Sequence, residues 1–179
     1  MIFLRHATLS IAALLGAFYA WGGAISSTPT AIVLYSSRDT DVAPVVMSLH
    51  RAGAYVTDSP GTARPRLLRG PNAVVITRSA LALQRDDAVG RAYADGALIV
   101  GLDMSLAEIE ALVFGSPSRP SPPRVDGDPR LSMLYEETLA GGCGGQGSFS
   151  DWLSNWQPAA AFILHRAHEV SLFAEACRD

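Results

Sequence analysis

The feature that most constrains this chain is a long opening stretch without charge. From Ala7 to Ser37 no side chain is ionised. Its first part, Ala7–Ile25, reads ATLSIAALLGAFYAWGGAI. As a helix rising about 1.5 Å per residue it would span roughly 28 Å, close to the hydrocarbon core of a bilayer. Arg5 and the amino terminus precede it, which predicts a cytoplasmic N-terminus and a single pass through a bacterial-type inner membrane. Tyr19 and Trp21 then fall near the far interface, where amphipathic aromatic rings settle. Gly16, Gly22 and Gly23 would let a neighbouring helix approach closely, so Gly16 and Gly22 are expected to contact other membrane-protein subunits. The run Gly22-Gly23-Ala24 also suits a signal-peptide cleavage site. Residues 1–27 therefore read as an anchor or a signal segment, with lipid around residues 7–25, and either reading puts the rest on the extracytoplasmic, periplasmic side.

The remaining sequence has enough aliphatic residues for a core, although only 17% of the chain is charged. Net charge is −3 and no basic block occurs, so nucleic-acid binding has no electrostatic basis. All 14 basic residues are arginines. Without lysine there is no Walker-type phosphate loop, no Schiff base and no Ser-Lys dyad. The acidic residues at the strand ends suggest a phosphoacceptor receiver only superficially, because that site also needs a lysine. No cofactor is expected.

Residues 28–115 read as an α/β domain. Ala31–Tyr35, Ala54–Thr57, Ala73–Thr77 and Ala97–Val100 are apolar runs of strand type whose starts lie 19 to 24 residues apart, room for a crossover helix each time. Between them, Val42, Val45, Val46 and Leu49 mark one helix face, with Asp41 as its expected cap and Gly53 as its stop. Ser79 to about Asp95 reads as a helix closed by Gly96. Ser105-Leu-Ala-Glu108 is a capping box, with Leu106, Ile109, Leu112 and Val113 behind it and Gly115 and Pro117 as stops. Strands apolar throughout are expected where helices cover both faces. The prediction is a three-layer, parallel sheet of about four strands, Rossmann-like or flavodoxin-like. Ligands in such sheets sit beyond the carboxyl ends of the strands. There the sequence collects polar residues, and Ser37, Arg38, Asp58 and Arg78 are the candidate binders of an anion or small molecule. Equally, Ser, Thr and Asp cap helices and turn the chain.

Residues 116–130 hold five prolines and read as a stiff linker. Residues 131–179 are expected to be an irregular, Gly/Pro-rich extension packing on the domain or on a partner. Leu131–Thr138 is a possible strand, followed by the glycine loop Gly141–Gly147. Gly142–Gly147 matches G-x-G-x-x-G but lacks the strand-turn-helix context of a dinucleotide site. Trp152 and Trp156 either close the core or anchor a partner. Residues 159–177 form a helix, or begin with a fifth strand at Ala161–Leu164. Cys143 and Cys177 are the only cysteines and, outside the cytoplasm, suggest a disulfide. Cys143 as a nucleophile with His165 or His168 has no supporting signature. His165, His168 and Glu169 share a helix face, yet no further strong metal ligand stands out.

The expectation is a non-catalytic, membrane-anchored accessory subunit of a larger membrane complex, similar in layout to supernumerary subunits of respiratory or photosynthetic assemblies. The alternative is an extracytoplasmic α/β domain binding an anion or small molecule. An extracytoplasmic Cys or Ser hydrolase ranks third.

Overall fold

The apolar runs become strands because both of their faces are covered. A computed structural model describes residues 31–81, 87–117, 130–139, 142–152, 156 and 158–176. In chain order the strands are β1 (Ala31–Leu34), β2 (Tyr55–Thr57), β3 (Ala73–Thr77), β4 (Leu98–Leu102), β5 (Arg130–Leu139) and β6 (Gly142–Trp152). The helices are α1 (Ala43–Arg51), α2 (Pro60–Leu67), α3 (Arg78–Leu81), α4 (Ala88–Ala94), α5 (Leu106–Phe114) and α6 (Ala159–Ala176). All six strands join one sheet in the order β2-β1-β3-β4-β5-β6. The first four are parallel, while β5 and β6 run antiparallel to their neighbours in sequence.

Alternation along each strand separates two cores. Val33, Val75, Val100 and Met133 face α1 and α6, whose Val45, Leu49, Ile163 and Ala167 are buried with them. Ile32, Val74, Ile99 and Leu134 face α2, α4 and α5, which contribute Ala63, Leu67, Val89, Ala92 and Ile109. Every residue of β1, β3 and β4 is buried, and each large aliphatic side chain so placed contributes about 1.5–3 kcal/mol. The α/β class and helices on both faces agree with the sequence reading. The sheet is mixed and has six strands, where an all-parallel sheet of about four was predicted.

Local signals are met at several ends. Ser105 Oγ accepts from the Glu108 N–H at 3.3 Å, and the Glu108 carboxylate accepts from the Ser105 N–H at 2.7 Å, so the predicted capping box opens α5. Gly115 closes that helix in the left-handed region at φ 78°. Asp41, expected to cap α1, instead lies in a 3₁₀ turn over Thr40–Val42, and α1 begins behind Val42 with no side-chain cap. Of the helix expected from Ser79 to about Asp95, α3 and α4 cover Arg78–Leu81 and Ala88–Ala94, with Asp87 at the cap of α4, and residues 82–86 lie outside the described residues. α2 was not foreseen. Its only buried residues are Ala63 and Leu67, too few to print a helical period.

The largest correction lies after the prolines. The expected glycine loop is most of β6, paired with β5 from Arg130↔Trp152 to Leu139↔Gly142. Glycine is a poor strand former, but β5 supplies a long partner and Tyr135 lies over Gly147 so closely that a Cβ there would collide with its ring. The G-x-G-x-x-G match thus sits in an antiparallel strand rather than in a turn between a strand and a helix. Residues 159–176 are a helix rather than a fifth strand, so the described residues of the C-terminal part are mostly strand and helix where an irregular extension was expected. Among the described residues no helix is long and apolar enough to cross a membrane. Residues 7–25, where the crossing segment is expected, lie outside them, as do Gly16 and Gly22.

Candidate functional site

Strand order 2-1-3-4 means that the crossover after β1 leads to β2 on one side, while the crossover after β3 leads to β4 on the other. In open α/β sheets such a switch point leaves a crevice beyond the carboxyl ends of the strands, which here are those of β1 and β3. All four predicted ligand residues border this end of the sheet. Ser37 and Arg38 follow β1, Asp58 follows β2 and Arg78 begins α3 directly after β3.

The polar groups there bond largely to one another. The Ser36 N–H donates to Thr77 Oγ1 at 3.3 Å, tying the loop after β1 to the end of β3. The Ser79 hydroxyl and N–H both donate to the Asp39 carboxylate, at 2.6 and 3.2 Å. Arg78 turns away from the crevice. Its Nε donates to the Asp103 carbonyl at 2.9 Å, and its Nη2 donates to both carboxylate oxygens of Glu108 at 2.8 Å. Asp103 holds φ 58°, a left-handed conformation for a residue with a Cβ. Its N–H donates to the Arg130 carbonyl at 2.7 Å and its own carbonyl receives Arg78, so both sides of that turn are tied.

Ser37 and Arg38 are exposed, and the Arg38 N–H reaches Ser36 Oγ at 3.4 Å. Asp58 is exposed in the turn before α2, where Thr57 Oγ1 and Thr62 Oγ1 lie 2.7 Å apart. The structure therefore places the four residues along one rim. It commits Arg78 to an internal ion pair and leaves the side chains of Ser37, Arg38 and Asp58 toward solvent. Glu108 was legible as a cap, but its second role as the partner of Arg78 was not, because the two are 30 positions apart.

A second polar cluster lies over β5; sequence reasoning marked His165 and Glu169 on one helix face but missed Arg166 and Tyr135. Arg166 on α6 donates to the Tyr135 hydroxyl at 2.8 Å and to Glu169 at 2.8 Å, with its guanidinium 4.9 Å from the Tyr135 ring centre. The Arg166 hydrogen bond holds the Glu169 carboxyl below its ordinary value, and Glu169 in turn raises the pKa of Arg166. His165 Nε2 stands 3.5 Å from Glu169. Among the described residues, His, Cys, Asp and Glu side chains form no group of three that could hold a metal ion.

Trp156 is half-buried and packs against the core on the α1/α6 side. The backbone of Trp152 pairs with Arg130 and that of Cys143 with Thr138. The side chains of Trp152 and Cys143, and all of Cys177, lie outside the described residues, and the disulfide expected between the cysteines lies there too. Comparison with protein-family profiles, with curated proteins and with solved structures finds no match to this chain.

Proposed function

We propose that this chain is a non-catalytic, single-pass accessory subunit of a larger membrane complex, with its α/β domain on the extracytoplasmic side. The observation that supports this reading is that two of the charged groups at the strand ends, Arg78 and Asp39, are held by their own neighbours. A site that stabilises a reacting or bound anion needs donors aimed at open space. Here the Arg78 guanidinium is occupied by Glu108 and Asp103, and the Asp39 carboxylate by Ser79. Such a crevice is built to hold the ends of β1, β3 and β4 together. The N-terminal apolar segment supplies the anchor, and packing through its glycines supplies the contact with other subunits. Purification of the full chain from its native membrane in mild detergent tests the proposal. Stoichiometric co-purifying membrane proteins are expected, and a monodisperse monomer without them refutes it.

A second reading keeps one specific support, the exposed Arg38 beside the β1/β3 switch point. On that reading the domain binds a small anion at Ser37 and Arg38. Thermal stabilisation by phosphate or a small carboxylate, lost in Arg38→Ala, would favour it over the scaffold.

A further inference from the structure

The opposite end of the sheet, where the parallel strands begin, carries a different kind of surface. α1, α2, α4 and α5 each follow a parallel strand, so their C-terminal ends return to this end. α6 finishes here as well, since a Cβ built on Gly96 would lie 2.9 Å from that of Ala174. The loop before β3 is drawn in by the bond from the Leu98 N–H to the Asn72 carbonyl at 3.0 Å. Phe114 joins through its edge-to-face contact with Tyr93, whose carbonyl accepts from the Gly96 N–H at 2.9 Å.

Five large apolar side chains are exposed among the described residues, and four of them lie toward this end of their helices, two from each face of the sheet. They are Leu68 at 49% exposure, Phe114 at 48%, Leu172 at 52% and Phe173 at 51%. Exposed Arg51 and Arg69 stand at the ends of α1 and α2, together with His50, and among the residues whose side chains are described the exposed acid at this end is Asp95, in the turn before β4. Apolar side chains interleaved with arginines suit the boundary between lipid headgroups and acyl chains. The covalent path leads to the same place. Five residues, 26–30, separate the apolar stretch ending at Ile25 from Ala31, the first residue of β1. Fully extended, the link from Ile25 to Ala31 reaches only about 20 Å, so the end at which β1 starts stays within that distance of the bilayer.

We propose that this end of the domain lies on the bilayer surface, with Leu68, Phe114, Leu172 and Phe173 entering the headgroup layer and Arg51 and Arg69 meeting anionic lipid. The inference rests on the reading of residues 7–25 as a membrane-crossing segment and adds an orientation to it. The far end, with the strand-end crevice and the close of β6, then points away from the membrane toward other subunits.

Hydrogen-exchange mass spectrometry on the full chain in nanodiscs tests the orientation, using phosphatidylcholine alone or mixed with phosphatidylglycerol. The amides of residues 68–72 and 172–176 are expected to exchange about tenfold more slowly in the anionic discs. Residues 73–77 in β3 should not change and report that the fold is intact. Arg51→Gln with Arg69→Gln should abolish the lipid dependence, and Leu68→Ser with Phe173→Ser should weaken the protection in both lipids. A flexible insertion of about 20 residues between Ser27 and Thr28 should loosen it, because the tether no longer confines the domain. Equal exchange in both lipids, unmoved by the substitutions and the insertion in a chain fully incorporated into discs, overturns the orientation alone. Protection that appears in native membranes but not in nanodiscs also overturns it, since a protein then covers the surface. Failure of the intact chain to enter discs at all overturns the anchor, and the orientation falls with it.

Discussion

Replacing Arg78 by methionine separates a structural clip from a ligand-binding residue. The substitution keeps most of the apolar stem and removes the guanidinium. One hydrogen bond to the Asp103 carbonyl at 2.9 Å and two to Glu108 at 2.8 Å disappear. The Arg78 and Glu108 side chains are 36% and 32% exposed, so water screens the ion pair and leaves it about 0.2–1 kcal/mol. The bond to the Asp103 carbonyl contributes about 0.5–1.5 kcal/mol, because it anchors a residue held at positive φ. Glu108 keeps its bonds from the Ser105 N–H and hydroxyl at 2.7 and 2.9 Å, so the α5 cap survives. The expected loss is about 1–2 kcal/mol, read as a lower urea midpoint at unchanged slope in the detergent-solubilised full chain. In a double-mutant cycle with Glu108→Gln the coupling should reach about 0.5–1 kcal/mol. Hydrogen exchange should quicken over residues 102–105 and stay unchanged in β3. Stability within about 0.3 kcal/mol of the parent, with no coupling to Glu108, would refute the clip. Loss of an anion-induced thermal shift in the same variant would instead make Arg78 a ligand residue.

Other positions give sharper local tests. A Cβ at Gly101 would lie 2.7 Å from Met104 Cβ and 2.8 Å from Ile109 Cδ1, so Gly101→Ala should cost about 1–3 kcal/mol by chemical denaturation, partly relieved by Ile109→Val. Ser105→Ala removes the acceptor for the Glu108 N–H and should cost about 1 kcal/mol, with faster exchange confined to the first turn of α5. Gly147→Val drives a side chain into the Tyr135 ring and should cost about 1–3 kcal/mol while breaking the Arg166–Tyr135 bond, seen as a changed Tyr135 resonance. Glu169 has its pKa lowered from 4.5 by Arg166, so its contribution is present above that value and is lost as pH falls through the lower folded value. The stability difference between the parent and Glu169→Gln should therefore be constant at neutral pH and vanish in acid, and a difference that persists in acid would refute the assignment.

The strand-end crevice and the surface at the other end of the sheet together give the proposed subunit a direction. If residues 7–25 cross the membrane, the short tether turns the apolar, arginine-bearing end toward lipid. The end that faces outward is then the one where Arg78 and Asp39 are bonded internally and Ser37, Arg38 and Asp58 are exposed. This arrangement suits a rigid spacer that presents a surface to neighbours, because the bonds of Asp39 with Ser79 and of Arg78 with Glu108 fix the loops there.

By itself the sequence determined the elements whose cause is local. β1, β3 and β4 were legible as the runs Ala31–Tyr35, Ala73–Thr77 and Ala97–Val100, because burial on both faces leaves unbroken apolar stretches. The α5 boundaries were legible because a capping box and a left-handed glycine act within a few residues. The strand ends could be foreseen as a candidate site on the same ground, since a parallel sheet gathers the residues after its strands along one edge. Only the tertiary structure decided the rest. β6 is extended because β5 pairs with it and Tyr135 covers Gly147, not because its glycines prefer a strand. α2 forms with two buried residues because the sheet face needed covering. Arg78 became a clip rather than a free guanidinium because the turn after β4 brings Asp103 and Glu108 to it across 25 and 30 positions. Such contacts leave no period or spacing in the chain, since they depend on where the sheet sets distant segments side by side.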